Sequence, residues 1–184
     1  LTQSTVTGVS TEKLQELNYA AELVDTSVET ITGSMTKNLR AMDSAREGTG
    51  AAAEAYEKLG ISVTNSDGSL RDNEEVYWEV IDALGQMEAG ADRDALAMDI
   101  LGKSAQELNP LIEAGSETMA SLAQEAHDTG YVMSDEMLGA FGAFDDQMQR
   151  LNNGTEAAKN ALGTVLLPVL GDLASDGTDL LSEF

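Results

Sequence analysis

Apolar residues recur every three or four positions along most of this chain, the period that gives an α-helix one buried face. Leu14, Leu17, Ala21 and Val24 form the first stripe, with Ser10 placed to cap it. The short polar side chains of Asp25, Thr26 and Ser27 favour a break and a new cap. Val28, Ile31, Met35, Leu39 and Met42 then form a second stripe, which Gly48 and Gly50 end. Ala51–Leu59 predicts a short third helix closed by Gly60. Here the period changes. Residues 61–64, Ile-Ser-Val-Thr, are alternating and β-branched, Asp67-Gly68 is a turn signal, and Ser69-Leu70-Arg71 can return. That pattern predicts a small β-hairpin at about 61–71.

Helical spacing resumes at Val76, Val80, Ile81 and Leu84, behind Asp72 and Glu75, a capping box with Asp in the Ser/Thr place. Asp92 is expected to cap the next helix, with Leu96, Ile100 and Leu101 inward and Gly102 as its stop. Ser104 and Glu107 form a second capping box, opening a short helix that Pro110 breaks or bends. Gly115 reads as a helix stop and Ser116 as a new start, with Met119, Leu122, Ala123 and Ala126 inward as far as Gly130. Ser134 caps the longest segment, helical in pattern from 135 to about 173 through Leu138, Phe141, Met148, Leu151, Ala158 and Leu162. Gly139, Gly142, Gly154 and Gly163 weaken it by about 1 kcal/mol each relative to alanine, so bends or tight helix packing are expected. The expected fold is mainly α: a compact multi-helix domain over 1–130 with one small β-hairpin, then a long helical extension over 131–184.

Composition narrows the function. With 33 acids against 10 bases the net charge is −23, and from Ser104 onward 14 acids face only Arg150 and Lys159. Such a surface repels nucleic-acid phosphates and anionic lipid heads, so direct nucleic-acid binding is not expected. No cysteine and a single histidine exclude disulfides, thiolate metal sites, multi-histidine zinc sites and most catalytic triads. The longest apolar run, residues 165–170, contains a proline and falls far short of the ~20 residues of a membrane span. The opening Leu-Thr-Gln, without a signal-like segment, reads as the start of an internal fragment.

Few residues carry candidate chemistry. If Gly68 is set at the sixth position of a calcium loop, Asn65, Asp67 and Glu74 fall at positions three, five and twelve. Position one is Val63 instead of a ligating Asp, and no helix leads in, so a turn followed by a helix cap is the better reading. His127 stands in a last helical turn, where it interacts favourably with the dipole. Asp135-Glu136 and Asp145-Asp146 are neighbours on a helix, about 100° apart, and diverge instead of flanking one bond. The eight methionines are read chiefly as core filling. No catalytic residue, cofactor or metal is assigned. Gly60, Asp67, Gly68, Asp72, Gly102, Ser104 and Gly115 read as turns, caps and helix stops. Leu138, Phe141, Phe144 and Met148 form a stripe suited to self-association.

Three stretches in order resemble the minor tail, or tail tape measure, proteins of long-tailed bacteriophages and prophages. They are LGISVTNSDGSLRDNEEVYWEVIDAL at 59–84, RDALAMDILGKSAQELNPLIEAG at 93–115 and YVMSDEMLGAFGAFDDQMQRL at 131–151. The leading TEKLQELNYAAELVDTSVETITGSMTKN at 11–38 fits the same family's helix, "T-x-V-E" break and second helix. Leu101 stands where many relatives carry Phe. The resemblance implies a structural virion protein and no enzyme. Such proteins are made in the bacterial cytoplasm, sit in the tail tube lumen, set tail length and leave on DNA ejection. Tail tube and tail-tip proteins, assembly chaperones and further copies of the chain would be the partners. Three rivals remain open at this stage: an assembly hub that binds those partners, a calcium-responsive module built on residues 63–74, and a cell-wall hydrolase using Asp145.

Overall fold

The computed structural model describes residues 9–152, and the chain divides into two compact units between Val132 and Met133. The fold is mainly helical, with seven α-helices and one 3-10 segment among the described residues.

In the first unit, α1 (Thr11–Leu23) begins where the Ser10 hydroxyl accepts the Lys13 N–H at 3.1 Å. It ends at Asp25, held at φ 56, with the Thr26 N–H donating back to the Ala21 carbonyl. α2 (Val28–Arg46) is capped the same way by Ser27 and buries Val28, Ile31, Met35 and Met42. Leu39, expected on that buried stripe, is 46% exposed. α3 (Ala51–Leu59) stops at Gly60, whose left-handed backbone (φ 71) lets the Ile61 N–H donate back to the Tyr56 carbonyl at 2.9 Å.

The expected β-hairpin over 61–71 does not form strands. Its residue is one isolated antiparallel bridge, Thr64 with Leu70, supported by Asn65 N–H to Ser69 O (2.8 Å) and Arg71 N–H to Val63 O (2.9 Å). The reason is a shortage of chain. Ile61 is committed to closing α3 and Asp72 to opening α4, so neither arm has residues left to extend a ladder.

α4 (Asn73–Gly85) opens on Asp72, whose Oδ1 accepts the Glu74 and Glu75 N–H groups at 2.9 and 3.0 Å. Its buried face of Val76, Tyr77, Val80, Ile81 and Leu84 is worth roughly 1.5–3 kcal/mol per large side chain. α5 (Ala91–Leu101) starts at Gly90, so Asp92 lies inside its first turn instead of capping it; with Asp94 it complements the helix dipole from there. Gly102 (φ 85) ends α5. Residues Lys103–Leu108 then wind as a 3-10 segment that opens at Gly102 with no side-chain cap, so Ser104 lies within it and does not cap it. The segment runs directly into α6 (Asn109–Asp128), leaving no free helix start for a capping serine to serve.

Pro110 sits in the first turn of α6, where its missing N–H costs nothing, and it does not break the helix. The break falls at Gly115 (φ 78, ψ 170), which divides α6 in two. Gly130 (φ 72) closes the second half with Tyr131 N–H to Ala126 O at 2.9 Å. α2 packs against α1, α3, α4, α5 and the 3-10 segment, while α6 lies across α1 and α4; one continuous core joins them.

In the second unit α7 (Asp135–Asn152) opens at Ser134, whose hydroxyl accepts the Met137 N–H at 3.2 Å. The remainder of the expected long helix, from 153 to about 173 with its bends at Gly154 and Gly163, lies outside the described residues.

Candidate functional site

The loop from Asn65 to Glu75 has the densest polar chemistry, and its geometry is that of a closed turn. Asp67 Oδ1 accepts from both the hydroxyl and the N–H of Ser69 (2.6 and 3.0 Å), and these two bonds hold its carboxyl below the ordinary aspartate value. Asn65 Nδ2 donates to Ser69 Oγ and Leu70 O, and Gly68, at φ 82, donates its N–H to Asn65 O. Glu74 reaches Lys13 at 3.3 Å. The three side chains that a calcium loop would aim at one ion are therefore engaged elsewhere, Asn65 and Asp67 with Ser69 and Glu74 with Lys13. Val63, at the first position, is buried in the core. Among the described residues no group of three or more His, Asp or Glu side chains is arranged to hold a metal ion.

Arg71 anchors this loop to α4 through a fork onto Glu79 (2.6 and 2.9 Å), with a further bond to Ser62 O. The fork lowers the Glu79 carboxyl pKa.

A second polar constellation joins α1 to the end of α6. His127 Nε2 meets Glu16 Oε1 at 2.7 Å, Tyr19 donates to Glu125 at 2.9 Å, and Asn18 donates to the Tyr131 hydroxyl at 2.7 Å. The Tyr19 and Tyr131 rings lie 5.1 Å apart, close enough to add aromatic contact. Burial raises the Glu16 pKa, but hydrogen bonds from His127 and Lys13 outweigh it and the net shift is downward. Beyond its dipole, then, the lone histidine has a carboxylate partner. That partner lies 111 residues away, which no local spacing could reveal. Among the described residues no serine or threonine hydroxyl is bonded to this histidine, and the pair with Glu16 clamps α1 to the end of α6.

Gly115 and Ser116 form the third arrangement. Asp82 on α4 caps the second half of α6 from outside it: its Oδ1 accepts the Ser116 N–H at 2.8 Å and its Oδ2 the Ser116 hydroxyl at 2.5 Å. Beside it Gly85 lies so close to α6 that a Cβ there would stand 2.7 Å from the Ile112 carbonyl oxygen. A cleft of about 390 Å³ opens between these residues.

Inside the core two polar networks fix how the helices meet. Ser34 and Tyr77 pair at 2.8 Å, while Asn38 accepts from Tyr56 (2.8 Å) and donates to Asn73 (2.9 Å). Burial pushes both tyrosine phenols well above their ordinary value. Arg93 is also buried, with Nη2 bonded to Asn109 at 2.9 Å.

On α7, Phe141 is 44% exposed, and Leu138, Phe144 and Met148 are half-buried. Asp135, Glu136, Asp145 and Asp146 are all exposed. No helix among the described residues is long and apolar enough to cross a membrane. Neither the known protein families, the curated proteins nor the solved structures contain a match to this chain.

Proposed function

We propose that this chain is a structural protein of a bacteriophage tail, part of the tape measure that sets tail length, helps assemble the tube and leaves it on DNA ejection. The observation that carries the reading is the ordered set of stretches at 59–84, 93–115 and 131–151, which resemble that family over most of the chain. The helical architecture is compatible with it. α7 alone, eighteen residues long, spans about 27 Å at ~1.5 Å per residue, the geometry a molecular ruler needs. A net charge of −23 means that DNA in the same tube repels the chain, which favours its departure. Its partners in this reading are tail tube and tail-tip proteins, assembly chaperones and other copies of itself, inside the tail lumen.

The test is tail length, measured by electron microscopy in a phage whose gene repeats residues 135–184 in frame. An extended ruler predicts tails longer by roughly 75 Å, from ~1.5 Å per residue. Tails of unchanged length would remove measuring from this segment. They would favour a second reading, an assembly hub, for which the observation is the continuous core shared by six helices of the first unit.

A further inference from the structure

Acids outnumber bases 33 to 10 in this chain, so a lysine or arginine should readily find a carboxylate. Lys13, Arg46, Arg71 and Arg93 each have one within 4 Å. Lys37, Arg40, Lys58 and Lys103 are exposed, and among the described residues no ion pair engages them. All but Lys58 are neighbours. The aliphatic stem of Lys37 lies across Gly102, where a Cβ would stand 3.3 Å from its Cγ. Lys103 is the next residue, and Arg40 lies one turn beyond Lys37 on α2. One turn before Gly102 on α5, Met98 is 44% exposed. Asp43 and Asp99 lie on the same two helices, but Asp43 is turned to Arg46 and Asp99 enters no ion pair among the described residues. The result is a group of three cations without carboxylate partners, beside an exposed methionine, on an anionic molecule.

The same chain carries the complementary surface. On α7, Phe141 is exposed and Asp145 lies one turn further along the same face, with Asp146 beside it. Among the described residues neither aspartate enters an ion pair. Asp145 accepts only the Gln149 amide, at 3.2 Å, so an exposed aromatic next to acids without a cation matches an exposed methionine next to bases without a carboxylate, in both charge and apolar character.

We propose that Lys37, Arg40, Lys103 and Met98 form a docking surface for α7 of a second copy of this chain, with Phe141 against Met98 and Asp145 and Asp146 facing the cations. Two different surfaces meet, so the contact is heterologous: a copy that uses one surface still has the other available to a further copy. The repulsion between molecules of charge −23 does not prevent this at physiological salt, where charges are screened beyond about 8 Å while contacting pairs are not. The inference stands apart from the tail assignment, since it concerns the chain in solution.

Sedimentation velocity over a concentration series of the whole chain tests it, with far-UV circular dichroism as the check on folding. Arg40→Glu/Lys103→Glu reverses the patch while leaving the packed stem of Lys37 in place. Asp145→Lys/Asp146→Lys reverses the helix. The wild type should associate, and each variant alone should do so at least about tenfold more weakly. Mixed in equal amounts, the two variants should associate again, because the intact patch meets the intact helix and the two reversed surfaces carry opposite charge to each other. A monomeric wild type, association that either variant retains, or a mixture that stays monomeric would each overturn the proposal. Association that only the patch variant retains would point to a contact made by α7 with α7 instead.

Discussion

α4 and α7 look alike as sequence and differ as structure. Each is an amphipathic helix with an acidic first turn and a polar cap, Asp72 in one and Ser134 in the other. In α4 the whole apolar face is covered, with Val76, Tyr77, Val80, Ile81 and Leu84 all at 0% exposure. On α7 none of the described side chains is fully buried. A helical period therefore states that a face exists and says nothing about what covers it. Stability should reside in the first helix and binding capacity in the second.

The sharpest way to break that contrast is to truncate one large side chain on each. Ile81→Ala should cost about 2–5 kcal/mol in urea unfolding, the loss of a buried branched side chain plus the cavity left behind. Phe141→Ala should stay within about 0.5 kcal/mol. Equal costs would mean that α7 is as firmly packed as α4.

Glycine replacement should give opposite signs. Gly85→Ala gains helix propensity but drives a Cβ to 2.7 Å from the Ile112 carbonyl, a backbone atom with little room to yield; a net loss of about 1–3 kcal/mol is expected. A Cβ at Gly139 meets nothing within 4 Å, so Gly139→Ala should stabilise by about 0.5–1 kcal/mol. Thermal unfolding followed at 222 nm would show both.

The two caps offer a finer comparison. Asp82→Ala removes the cap that α4 lends to α6 and should cost about 1–2 kcal/mol, whereas Ser134→Ala removes a local one at about 1 kcal/mol or less. Chemical denaturation of the two variants side by side measures the difference.

The smallest effect is the pH dependence of the Arg71–Glu79 fork. Arg71 holds the Glu79 carboxyl below its unfolded value, so the contribution is complete above the ordinary glutamate range and is lost as pH falls through the lowered value. Glu79 is 45% exposed, which limits the fork to about 1 kcal/mol or less at neutral pH. Urea unfolding at pH 7 and at about pH 3 should show wild type and Glu79→Gln separated at the first and merging at the second. A constant gap would assign the stabilisation to something other than this charge pair.

Much of the helical layout is visible in the residues themselves. Ser10, Ser27 and Asp72 cap helices through bonds to N–H groups two or three positions ahead, and Gly60 and Gly102 stop them through their own positive φ. Interactions of that reach are written in consecutive residues. The misplaced elements share another feature. The β-branched run at 61–64 has strand propensity, yet the caps on either side consume the chain that a strand would need. Ser104 and Asp92 carry capping chemistry at places where glycines 102 and 90 open the segments instead. Pro110 looked like the breaker, but proline is harmless in a first turn and Gly115 breaks the helix.

What the sequence determined by itself is therefore local: the helical class, the stripes, the helix ends that close on nearby residues, and the acidic charge. The tertiary structure alone decided that Asp82 would cap a helix 34 residues away, that Glu16 would meet His127 across 111, and that Leu39 would stay exposed while Arg93 was buried. The physical reason is one of range. A cap or a turn is selected by atoms three or four residues apart, whereas a clamp, a clash or a bare face exists only once distant helices have been brought together.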